Sequence, residues 1–124
     1  MISYQAYRVI HLLGIFLALA ALAGLALAAA NGATKQSNPA RRLISISHGL
    51  GILLVLIGGF GLLARLGVTQ PPFPGWVWAK LVIWLLLGGL IAVPYRRPDL
   101  ARAVFIAIPA LGGLAAWLAI SKPF

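Results

Sequence analysis

Of its 124 residues the chain has no cysteine, one methionine and a single acidic residue, Asp99. Without a thiol there is no disulfide, no thiolate nucleophile and no cysteine-held zinc or iron–sulfur centre, and the redox compartment stays open. With Met1 as its one thioether, the chain lacks the soft ligands that copper handling requires. Asp99 follows a proline-bounded loop, so no carboxylate is expected inside a membrane span to serve a proton relay.

What the chain has is apolar sequence. Hydrophobic residues make up 62% and charged residues 9%, more apolar surface than a soluble domain of this length encloses. The formal charge is +9, but its ten basic residues are scattered around apolar spans and form no soluble basic face, which argues against nucleic acid. The fold class expected is all-α: an integral membrane four-helix bundle in up-down-up-down order, with both termini on one side.

The clearest span is WVWAKLVIWLLLGGLIAV, residues 76–93, whose one ionisable side chain is Lys80. As a helix it is about 27 Å long, close to the roughly 30 Å hydrocarbon thickness of a bilayer. The other spans are expected at 8–30, 43–66 and 100–120, in one transmembrane domain covering 1–124. Ala28-Ala29-Ala30 offers small residues at a plausible signal-peptide cleavage point, but the preceding apolar run is long for a signal peptide and is read as a retained helix. Asn-Gly and Asn-Pro pairs break the chain after the first span, and prolines at 71, 72 and 74 stiffen the second loop. Pro94 to Pro98 reads as a hard stop to the third span, Asp99 as a cap for the fourth helix, and Pro109 as a kink within it.

Small residues mark the helix faces. His11, Gly14, Ala18, Ala21 and Ala28 line a nearly bare strip, which suits either close packing or a flat ligand beside the histidine. In the second span, the face through His48, Gly51, Val55, Gly58 and Leu62 is expected to look into the bundle. A buried histidine there more often bonds a carbonyl of an adjacent helix than a metal. Lys80 is either a snorkelling anchor or a cation held inside the bundle, with Trp76 and Trp84 four residues to either side on its face.

Lys35, Arg41, Arg42, Arg96, Arg97 and Arg102 fall on one side of the membrane, against Arg8, Arg65, Lys80 and Lys122 on the other. The positive-inside rule then places loops 1–2 and 3–4 in the cytoplasm and both termini outside, as in a bacterial inner membrane. His11 and Lys80 are each about 6 Å beneath the outer boundary, whereas His48 starts from the opposite face, about 15 Å away along the normal. His11 and His48 are the candidate metal ligands, but this gap disfavours one iron shared by both. The outer cluster is therefore His11, Lys80, Arg8 and Arg65, suited to an anion with a flat apolar body such as haem, a porphyrin or a lipid phosphate. In the haem case neutral His11 ligates iron while Lys80, Arg8 or Arg65 holds the propionates. Alternatively, the two arginines simply sit among lipid headgroups.

The order of YRVIH in the first span, RRLISISHG opening the second, a glycine-rich middle, PGWVWAKL opening the third and a terminal SKPF resembles the SirB-type four-helix membrane proteins. More distantly, the chain is similar to the HemJ-type protoporphyrinogen oxidases, over most of its length. In that second family a first-span histidine binds haem b and a third-span lysine supports activity, so the resemblance implies haem b with His11 and Lys80. His48 follows the SirB-like pattern. The oxidases carry Asn-Glu before a fourth-span proline, where this chain has Ala107 and Ile108 before Pro109. Two function classes stay open: a haem- or porphyrin-binding, redox-active membrane protein, and a non-catalytic bundle that packs against other membrane subunits or copies of itself.

Overall fold

A computed structural model describes residues 2–124; Met1, the chain's one thioether, lies outside them. The described residues are helical and contain no strand. Helix α1 is Tyr4–Ala30, α2 is Arg41–Arg65, α3 is Gly75–Gly89, the short α4 is Val93–Arg96, and α5 is Ala101–Ser121. A 3-10 turn, Leu90–Ala92, joins α3 to α4, and another, Pro98–Leu100, leads into α5. Four stretches are long and apolar enough to cross a bilayer, Tyr4–Ala30, Arg41–Arg65, Gly75–Arg96 and Pro98–Ser121. The protein is an integral membrane four-helix bundle.

Local chemistry fixes the ends. The Ser3 hydroxyl accepts the Ala6 N–H at 3.1 Å, so α1 begins a turn earlier than hydropathy suggests and takes Arg8 into its second turn. Helices α1 and α2 stop at Gly32 and Gly67, both with positive φ. In each case the next residue's N–H returns to the last turn, Ala33 to the Ala28 carbonyl and Val68 to the Leu63 carbonyl, both at 2.9 Å. Pro94 does not end the third span. It sits at the start of α4, where its missing N–H is tolerated, and the span tightens to 3-10 geometry just before it and ends at Arg96. Asp99 does not cap α5: it accepts from Arg97 Nε at 3.1 Å and Nη2 at 2.8 Å, and no side chain caps the helix. Helix α5 runs through Pro109 without interruption.

Helix α1 is the spine of the bundle. Between apolar helices in lipid there is no hydrophobic driving force, so association rests on close packing and interhelical hydrogen bonds. Both are present. A Cβ on Gly14 would lie 2.6 Å from the Val55 nitrogen, one on Gly51 2.6 Å from the Ala18 nitrogen, and one on Gly58 2.6 Å from the His11 nitrogen. The glycines of α2 thus admit the backbone of α1, as the small-residue strip predicts, and the two helices run in opposite senses. Further along α1, Leu22 and Ala26 are fully buried against Val104 and Ile108 of α5. Tyr95 and Lys35 share the end of the bundle where loops 1–2 and 3–4 lie, while Tyr4 and Lys122 share the other.

Candidate functional site

Three side chains stitch the spans together through carbonyls of a neighbouring helix. His11 Nδ1–H donates to the Val55 carbonyl at 2.9 Å, Trp84 Nε1–H to the Ile52 carbonyl at 2.9 Å, and His48 Nε2–H to the Leu87 carbonyl at 3.0 Å. Each bond replaces a donor otherwise left unpaired in a medium without water. The His48 bond is the structural role expected of a buried histidine, and His48 is 6% exposed.

At the end carrying the termini, a cavity of about 150 Å³ opens between α1, α2, α3 and the end of α5. His11 and Lys80 both line it, together with Trp76, Trp84, Tyr4 and Lys122. Leu62, Leu63 and Leu81 contribute apolar wall. The histidine and lysine that depth counting puts at one level therefore meet in one cavity. His48 does not line it: His48 lies seven residues from Val55 on α2, roughly 10 Å along the axis. The His48 ring nitrogen Nε2 is engaged with the Leu87 carbonyl, outside the cavity that His11 lines.

Arg8 and Arg65 do not line the cavity, and both are exposed. Tyr4, Tyr7 and His11, at spacings of three and four, take the inward face of α1, and a Cβ on Gly61 would collide with the Tyr7 ring.

The second cation is instead Lys122, beyond the end of α5. Its backbone is left-handed, with φ 45°, which folds the last residues back across the start of α3. The Phe124 ring then fills the space a Cβ on Gly75 would need, and the Phe124 carbonyl accepts the Trp76 N–H at 3.3 Å. Lys122 Nζ stands 5.5 Å from the Trp76 ring centroid, so the ammonium over that indole comes from the tail and not from Lys80. No spacing in the sequence signals this, because Trp76 and Lys122 are joined only by the turn at the chain's end.

Chemically, the cavity offers one imidazole and two ammonium groups against indole and leucine walls, and no acidic side chain lines it. With its proton on Nδ1, neutral His11 has its lone pair on Nε2, the arrangement usual for a metal-binding histidine whose other nitrogen is anchored to a carbonyl. Among the described residues no three metal-ligating side chains cluster, and His11 is the one imidazole that lines this cavity. A volume of about 150 Å³ is below the roughly 300–1,000 Å³ of sites that enclose a whole organic ligand. An imidazole with a free lone pair beside two ammonium groups is a donor set that a metal-bearing anion would require, and the cavity as it stands is too small to enclose a whole porphyrin. No family model, no curated protein and no solved structure matches the chain.

Proposed function

We propose that this membrane protein binds haem b or a related porphyrin by one edge at the end of the bundle bearing the termini, and that the bound group is redox-active. The observation that carries the reading is the anchored imidazole of His11 on the wall of a cavity that Lys80 and Lys122 also line. When bound, haem supplies one-electron chemistry. The chain's own contribution is positional. The Val55 carbonyl sets the His11 ring and tautomer, the ammonium groups of Lys80 and Lys122 hold carboxylates, and the tryptophan and leucine walls exclude water. The HemJ-like features of the sequence, which put haem b on His11 and Lys80, support this reading, although Ala107 and Ile108 replace that family's Asn-Glu; by the positive-inside rule this end lies at the outer face of a bacterial inner membrane.

The test is the visible spectrum of the protein purified in detergent. A Soret band that His11→Ala abolishes is the expected result. A second reading, an accessory subunit or self-associating bundle, draws on the second, third and fourth spans, whose most apolar 18-residue windows are only 17%, 11% and 17% buried within the chain. A colourless protein that purifies with other membrane subunits decides for that reading.

A further inference from the structure

The opposite end of the bundle has its own cavity, larger at about 430 Å³, between the start of α2 and the end of the third span. Lys35, Arg41, Arg42 and Arg96 line its rim, and Leu25, Ile44, Ile91 and Tyr95 give it an apolar side. Four cations meet there without a partner carboxylate. The chain's only acidic side chain, Asp99, is engaged with Arg97, which does not line the cavity. Convergence of four like charges is unfavourable unless an anion joins them.

The rim is also held in place. Asn38, 9% exposed, donates from Nδ2 to the Tyr95 hydroxyl at 2.8 Å, accepts the Ala40 N–H on Oδ1 at 3.0 Å, and accepts the Arg41 N–H on its main-chain carbonyl at 3.2 Å. Arg41 Nη1 in turn donates to the Lys35 carbonyl at 3.3 Å. One asparagine thus ties loop 1–2 to α4 and fixes the spacing between Arg41 and Arg96. The Tyr95 hydroxyl accepts from Asn38 and keeps its own proton to donate.

We infer that this second cavity is a binding site for the phosphate headgroup of an anionic phospholipid, with Arg41, Arg42, Arg96 and Lys35 on the phosphate and the acyl chains in the surrounding bilayer. Planar guanidinium groups match a phosphate's oxygens in pairs. The position of the cavity favours a lipid over a soluble phosphate, since its basic rim lies at the end of membrane spans, where headgroup phosphates are concentrated, while Leu25 and Ile44, 1% and 8% exposed, form a floor that belongs to the bundle core. The inference does not depend on the porphyrin reading, which concerns the other end.

The test is native mass spectrometry of the intact protein after reconstitution in vesicles of equimolar phosphatidylglycerol and phosphatidylcholine. The wild type is expected to retain phosphatidylglycerol selectively, and the double variant R42Q/R96Q to lose that preference at least about tenfold. Arg102 lies on the same side but does not line the cavity, so R102Q is the charge-matched control and is expected to retain the lipid as the wild type does. Helicity by circular dichroism, unchanged in both, excludes misfolding as the cause. Equal retention of the two lipids, or an equal loss in R102Q, overturns the proposal. Inorganic phosphate is the second probe: if millimolar phosphate displaces phosphatidylglycerol completely, the site is one for a soluble phosphate and the lipid assignment fails.

Discussion

His11 and the Val55 carbonyl, 2.9 Å apart, join α1 to α2 at the level where the terminal cavity opens. The same bond that packs the helices also decides which ring nitrogen carries the lone pair. Packing and ligation can be separated by substitution. His11→Gln keeps an amide donor for Val55 without an imidazole, so thermal stability in detergent is expected to fall by no more than about 1 kcal/mol. Ligation of haem iron by the imidazole is expected to vanish, read as loss of the Soret shift that the wild type gives on binding haem.

Gly58 carries the approach of α1. A Cβ there would stand 2.6 Å from the His11 nitrogen, a backbone atom that cannot move aside alone. Gly58→Ala is expected to destabilise by about 1–3 kcal/mol, the usual penalty for overpacking. Gly49 has nothing within 4 Å of such a Cβ, so Gly49→Ala should leave the unfolding midpoint unchanged or raise it. A thermal melt of the two variants side by side is the check.

His48 and Leu87 define a structural pair. His48→Leu strands the Leu87 carbonyl and is expected to cost about 1–3 kcal/mol of stability. Because His48 does not line the cavity and its Nε2 is engaged with the Leu87 carbonyl, the visible spectrum of any bound porphyrin should not change. A shifted spectrum in His48→Leu would make it a ligand.

The helices, their small-residue faces and the meeting of His11 with Lys80 were legible because each follows from a period of 3.6 and a fixed rise per residue. A count of residues from an interfacial tyrosine or tryptophan gives depth, and depth gives neighbours. What was not legible depends on single backbone turns. Pro94 reads as a stop until the 3-10 turn before it lets the span continue, and Asp99 reads as a cap until Arg97 takes both its oxygens. Lys122 enters the cavity through a left-handed non-glycine residue, which no pattern in the neighbouring sequence marks. Arg8, read as standing one turn above His11, is exposed and does not line the cavity, and spacing along α1 does not account for this.

Lys122 should therefore matter to a ligand's carboxylates and not to its ring. Lys122→Gln is expected to weaken binding of protoporphyrin about tenfold while leaving its dimethyl ester, which has no carboxylate, within about twofold of the wild type. Fluorescence quenching of the tryptophans at the cavity measures both. Equal effects on acid and ester would assign Lys122 to structure only.

The most direct measurement is a titration of the detergent-purified protein with haem b, followed at the Soret maximum in the wild type, Lys80→Gln and His11→Ala. One saturable equivalent in the wild type, weaker binding in Lys80→Gln and no axial-imidazole spectrum in His11→Ala are the outcomes predicted if the two side chains serve one cavity. Absence of a saturable shift in the wild type, or three indistinguishable curves, would contradict it.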